Sequence, residues 1–136
     1  MEFRQATQED LAFVADHSIS RGIQKLQPEQ TEFMYTLEHN GDPLGIGGFR
    51  LINTHTAWCW LDMTDRAGGH IIVFYRVLKE WIDQFIADHK LTRLQAYVEC
   101  DFNEAINMVQ HLGFHKESIM KNFMGDKDAF MYVRVL

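Results

Sequence analysis

Apolar residues recur along the chain first in alternation and then with a helical period, and the changes of period outline its elements. Residues 2–6 read as a short strand. Thr7-Gln8-Glu9-Asp10 reads as a helix start, because the Thr7 hydroxyl can accept from free first-turn amides and two acidic residues complement the positive end of the helix. Leu11, Phe13 and Val14 open an apolar stripe that runs to about His17. A second short helix is predicted over Ser20–Leu26, ended by Pro28. Phe33–Glu38 alternates as a strand, and Asn40-Gly41 after it is the strongest short hairpin signal, since both central residues of the favoured turn need positive φ. Pro43 opens the returning strand, Leu44–Ile52, whose Gly45, Gly47 and Gly48 point to a bend or a close backbone approach. Beyond the turn at Asn53–Thr56, Ala57–Thr64 is the third strand of this meander, with Trp58 and Trp60 on one face and Cys59 and Leu61 on the other.

The period then changes. Ile71, Phe74, Tyr75, Leu78, Ile82 and Phe85 fall at helical spacing, which predicts a long amphipathic helix over residues ~70–89. Leu94–Val98 is the strand after it. Asn103–His111 is a helix stopped by Gly113, and Phe114–Met120 with Ala129–Val135 form a last strand pair around Gly125-Asp126. The order β, α, α, β, β, β, α, β, α, β, β predicts an α/β fold, a mixed central sheet with helices on both faces. A length of 136 residues fits a single domain over 1–136, large enough for one core without disulfides or metals.

Charge narrows the partners. The net charge is −6 and the basic residues are scattered, which argues against nucleic acid as partner. The longest apolar run, Ile71–Tyr75, is far short of the ~20 residues that span a bilayer. Met1 leads straight into Glu2, Phe3 and Arg4 with no apolar run behind a basic start, so a cytoplasmic location with Cys59 and Cys100 reduced is expected. Seven histidines show no ligand spacing, and no metal is expected.

The segment Leu61-Asp62-Met63-Thr64-Asp65-Arg66-Ala67-Gly68-Gly69-His70-Ile71 carries the most chemistry. A strand ends, a glycine-containing loop follows, and a long helix begins. The first turn of a helix has free amides and a partial positive charge, and glycines let a phosphate approach the backbone. Read by spacing alone, the same segment serves as a plain strand-to-helix connection.

Three stretches resemble the GNAT superfamily of acyl-CoA-dependent N-acetyltransferases: Arg4–Leu11, Leu61–Ile71, and Asn103-Glu104-Ala105 followed by Leu112-Gly113-Phe114. Together they span almost the whole chain. The resemblance implies acetyl-CoA as co-substrate, an amine as acceptor and direct attack of the amine on the thioester. Cofactor contacts are then expected from Leu61, Met63, Arg66, Ala67, Gly68, Gly69, His70, Ile71 and Asn103. Arg66 and Gly69 match the family's phosphate-loop pattern, whereas Ile71 replaces its final small residue. The pantetheine arm is expected along Leu61–Met63, where that strand splays from Ala96–Glu99. Asp62 and Glu99 are the candidate bases. The family's usual acid, a tyrosine four residues before the glycine of the Leu-Gly-Phe turn, is replaced by Val109.

A thinner resemblance runs to a GNAT-like internal virion protein family of short-tailed phages. It rests on Pro43-Leu44-Gly45-Ile46-Gly47-Gly48 and Ala57-Trp58-Cys59-Trp60. It implies a catalytically degenerate, protein-binding chain of host cytoplasm or virion, with the tryptophan face and the methionines as contact surface. A sensor that binds acyl-CoA without turnover shares the loop residues. Assembly into a homo-oligomer is compatible with each of these readings.

Overall fold

The structure is a computed structural model describing residues 1–19 and 33–136. Its elements are β1 (Glu2–Gln5), α1 (Gln8–His17), β2 (Phe33–His39), β3 (Asp42–Leu51), β4 (Thr56–Met63), a 3₁₀ helix (Asp65–His70), α2 (Ile71–His89), β5 (Arg93–Glu99), α3 (Asn103–His111), β6 (His115–Met124) and β7 (Lys127–Val135). The strands form one mixed sheet in the order β1-β2-β3-β4-β5-β7-β6. The helix expected over Ser20–Leu26 lies outside the described residues. The chain forms two compact units, Met1–Arg50 with Cys59–Val77, and Leu51–Trp58 with Leu78–Leu136.

The first unit is built on antiparallel hairpins. β1 pairs with β2 from Glu2↔Glu38 to Gln5↔Tyr35, and β2 with β3 from Phe33↔Phe49 to His39↔Asp42. Asn40 and Gly41 take φ of 51° and 85°, as the hairpin signal requires. Side chains of β3 alternate between two helices. Ile46 packs with Val14 of α1 and Met34, where Leu11 and Trp60 join the cluster. A Cβ on Gly45 would lie 3.4 Å from the fully buried Phe74 ring of α2. The helices therefore cover opposite faces of β3.

α1 begins on a reciprocal cap. The Asp10 amide donates to Thr7 Oγ1 (3.2 Å) and the Thr7 amide donates to Asp10 Oδ2 (2.8 Å). Asp10 is 5% exposed and accepts twice from Arg4, at 2.6 and 2.8 Å, and from Thr36 Oγ1 at 2.9 Å. Burial alone would raise the pKa of Asp10. The Arg4 guanidinium, the Thr7 amide and the two threonine hydroxyls outweigh it and hold the carboxyl at about 2.

In the second unit, Thr56–Trp58 of β4 pairs in parallel with Arg93–Gln95 of β5. β5 pairs antiparallel with β7 from Arg93↔Val135 to Glu99↔Ala129. β6 closes the edge beside β7, with register shifts at Lys116/Ser118 and Met120/Met124, and Asn122 at φ 54° in the second. α3 ends on Gly113 at φ 91°, whose amide donates to the Gln110 carbonyl while the Phe114 amide donates to Val109. Arg134 reaches Asp83 of α2 at 2.8 Å.

Helical winding starts earlier than the apolar period suggests, at Asp65 rather than near residue 70. Thr64 caps it, and the apolar stripe that reveals α2 does not extend through Asp65–His70.

Candidate functional site

Thr64 makes the corner between β4 and the helical run. It is buried, and its single hydroxyl proton lies between the carbonyls of Pro43 (2.9 Å) and Leu44 (3.0 Å). The same oxygen accepts from the Arg66 amide at 3.3 Å, and the Thr64 amide donates to Leu44 at 2.9 Å. One small side chain thus fastens the helix start to the start of β3.

Arg66 is half exposed. Its guanidinium carbon lies 5.8 Å from the centre of the Phe13 ring, and its Nε lies 3.6 Å from Asp65 Oδ1. That Asp65 oxygen is 3.9 Å from His17 Nδ1, and the His17 and Phe13 rings are 4.3 Å apart. The last turn of α1 and the first turn after β4 therefore share one cluster. Exposed ion pairs of this length contribute little, ~0–1 kcal/mol, so Asp65 and Phe13 place the Arg66 charge without neutralising it. Ala67 is buried, whereas Gly68 and Gly69 are exposed, and a Cβ on either would meet nothing within 4 Å. Neither glycine has positive φ. His70 is exposed, with its ring 4.6 Å from that of His39. Ile71, half-buried, sits in ordinary right-handed helical geometry. The 3₁₀ winding uses its amides in bonds to carbonyls three residues back, beginning with Ala67 to Thr64 at 3.2 Å.

Backbone groups of β4 alternate between its two edges. A Cβ on Gly45 would lie 3.1 Å from the Asp62 carbonyl oxygen, and one on Gly47 2.8 Å from that of Trp60, so the even positions face β3. The close approach expected from the β3 glycines is thus made to β4. The Met63 carbonyl faces the other way and accepts from the Ile19 amide at 2.9 Å. Leu61 shares that edge. Asp62 accepts a hydrogen bond from Ser18 Oγ, and Ser18 also bridges Thr64. Both strands continue beyond the last β4–β5 pair, Trp58↔Gln95: β4 to Met63 and β5 to Glu99.

The second unit holds the remaining candidates. Glu99 ends β5 with its side chain 5% exposed and 3.7 Å from Lys127 Nζ. The Phe102 amide donates to the Glu99 carbonyl at 3.1 Å, which sets the turn into α3. Asn103 opens α3 on the surface, and Val109 is half-buried in it. Burial raises the pKa of Tyr97 and is the largest cause of the rise at Cys100, where Asp128 adds to it.

Solved structures match this chain end to end. Ard1 from Thermoplasma volcanium superposes at a TM-score of 0.82 with 13% identity, covering 99% of this chain and 97% of its own. The chain has the GNAT acyltransferase fold. Ribosomal-protein-alanine N-acetyltransferase from Brucella melitensis superposes at 0.75 with 18% identity, covering all of both chains. A variant of spermidine N-acetyltransferase from Vibrio cholerae superposes at 0.79 with 14% identity, covering 99% and 95%. No protein-family model and no curated protein matches the sequence. The GNAT fold accounts for the element order read from the sequence and for the mixed sheet. Among the described residues, no helix is long and apolar enough to cross a membrane and no group of three or more His, Cys, Asp or Glu is placed to hold a metal ion.

Thr64, Ser18 and the Phe13, His17 and Asp65 side chains around Arg66 are not among the site residues expected from the sequence. For Thr64 a signal exists: a threonine just before Asp65-Arg66 is a capping pattern like that of Thr7. Ser18 lies 44 residues from Asp62 and carries no such signal.

Proposed function

We propose that the protein transfers an acyl group, acetyl in the simplest case, from acyl-coenzyme A to an amine by direct attack. The observation that carries this reading is the pair Gly68-Gly69 beside Arg66 at the end of β4. Backbone conformation does not require glycine at either position, and no neighbour within 4 Å excludes a Cβ. Each glycine costs a helix about 0.5–1 kcal/mol relative to alanine. A ligand that approaches the backbone closely explains that cost, and the adjacent guanidinium suits a diphosphate. The shared fold adds support, since its solved examples include N-acetyltransferases of a ribosomal-protein alanine and of spermidine.

In this reading Arg66 and Ala67–Ile71 hold the phosphates. The β4 edge at Leu61 pairs with the pantetheine arm as an added strand would, next to the Met63 carbonyl that Ile19 occupies. Asn103, on the surface at the start of α3, is a further contact. Bound acyl-CoA supplies the activated thioester. Asp62, oriented by Ser18, and Glu99 are the candidate acceptors for the ammonium proton.

Titration calorimetry with acetyl-CoA tests this directly. Micromolar affinity, about −8 kcal/mol, is expected. Arg66→Ala should weaken it about fivefold, roughly 1 kcal/mol; unchanged affinity removes Arg66 from the site. Gly69→Ala should act with opposite signs on two measurements. It should raise the stability of the free protein by about 0.5–1 kcal/mol in urea titration and weaken acetyl-CoA binding. A stabilised variant that binds as well as the parent would remove the glycine cradle.

A second reading is a protein-binding module, in virion or cytoplasm, that retains the fold without catalysis. Val109 in place of the acid tyrosine, Ile71 in place of a small residue and the 3₁₀ bonding of the loop amides favour it. It predicts no acetyl-CoA binding even at millimolar concentration.

A further inference from the structure

Glu99 is the most demanding side chain of the second unit. A carboxylate this deeply buried needs a cation and hydrogen bonds close to it. Ala129, its register partner on β7, offers only a methyl group. The polar partner it has among the described residues is Lys127, whose Nζ stands 3.7 Å from Oε1. A charge-assisted hydrogen bond is about 2.7–2.9 Å long, so this pair is loose. Lys127 is itself 53% exposed and can leave into water.

The face around Glu99 is aromatic. Tyr97 is two residues back on β5 and on the same face. Trp58 shares that face through its register with Gln95. The Trp58 and Tyr97 rings meet edge to face at 6.1 Å, and Tyr97 meets Phe123 of β6 at 4.7 Å. Tyr97 is 37% and Phe123 43% exposed, so their ring surfaces are open to a ligand. Aromatic faces beside a buried carboxylate attract an organic cation, the rings taking its stem and the carboxylate its charge.

We propose that this face, formed by Trp58, Tyr97, Phe123 and Glu99, is a binding site for an unbranched primary alkylammonium, and that Lys127 is its built-in competitor. The lysine side chain is an ammonium on a four-carbon stem, so the site already holds a sample of the ligand class it accepts. A tethered group competes with an effective concentration on the order of millimolar, and a free ligand must displace it. The assignment of this ligand as the acyl acceptor rests on the transferase reading; the binding itself does not.

The test is calorimetric titration of the full chain with n-butylammonium at neutral pH, with n-butanol as the uncharged control. Lys127→Ala removes the competitor from an exposed position and should tighten n-butylammonium binding about three- to tenfold. Adding Glu99→Gln to that variant should abolish the gain, and n-butanol should not respond to either change. Should Glu99→Gln fail to fold, Tyr97→Leu in the Lys127→Ala background should weaken binding several-fold. Equal n-butylammonium affinity in the parent and Lys127→Ala would overturn the proposal, as would equal gains for the alcohol and the amine. Acetyl-CoA titrations of the same samples report on the transferase reading alone. Loss of that binding leaves the amine site standing, and loss of amine binding leaves the cofactor site standing.

Discussion

Asp10→Ala should destabilise the protein by about 3 kcal/mol, lowering the midpoint of thermal unfolding by roughly 10 °C. The substitution strips one buried carboxylate from four donors at once. The Thr36 hydroxyl is fully buried and loses its acceptor, the Thr7 amide loses its cap, and Arg4 keeps Glu38 at 2.9 Å and the Gln5 carbonyl at 3.3 Å. Against a total stability of 5–15 kcal/mol for a domain, that loss is large. Asp10→Asn is a sharper probe, because it preserves shape but presents an amide to a set of donors; it should also destabilise. The same network fixes a pH dependence. The folded carboxyl titrates at about 2 and the unfolded one near 3.8. The ionised form is thus favoured by folding, and the contribution, roughly 2–3 kcal/mol, is whole above pH ~4. It falls as the unfolded chain takes up its proton first and is gone below pH ~2. Urea titrations of parent and Asp10→Ala should converge by that amount between pH 5 and pH 2. A constant difference across the range would show that the carboxylate is not held as described.

Gly47→Val should cost a comparable amount, about 3 kcal/mol, by a different route. A Cβ at Gly47 would stand 2.8 Å from the Trp60 carbonyl oxygen and 3.4 Å from Leu61 Cδ1. The first contact is with backbone, so no rotamer change relieves it, and β3 and β4 must separate. Because β4 leads through Thr64 to Arg66, the shift should also reach the proposed phosphate site. Urea titration and acetyl-CoA calorimetry should therefore both respond. Gly68→Val, with open space at its Cβ, provides the contrast: its stability should stay within about 1 kcal/mol of the parent. Equal stability losses in the two variants would refute the packing argument.

Local chemistry made much of the fold legible. Thr7 with Asp10, Asn40-Gly41 and Gly113 each announced a cap or turn because the signal lies within four residues of its partner. The glycines of β3 announced a close approach, though only the folded sheet shows that it is made to the carbonyls of Trp60 and Asp62. Interactions between distant residues left no trace in the sequence. Nothing near Thr36 says that it donates to Asp10, 26 residues away, and nothing near Ser18 points to Asp62. Gly68-Gly69 read as a loop because glycine disfavours helix, yet Thr64 winds the segment into 3₁₀ geometry. β6 runs four residues beyond the expected Met120, since Lys121 and Asn122 interrupt the alternation where the register shifts. At the proposed site, Arg66 and its glycines were legible through the family resemblance; the setting that orients Arg66, Phe13 and Asp65, was not.

The outermost strands have a consequence for the protein at high concentration. β1 has only four residues, too short a template for a foreign strand. β6 has ten, but its two register shifts and the left-handed Asn122 break its edge, and Lys116, Lys121 and other exposed polar side chains line it. Among the described residues, neither border offers a neighbouring molecule a straight run of amides and carbonyls, so these edges resist the strand-by-strand stacking that seeds fibrils.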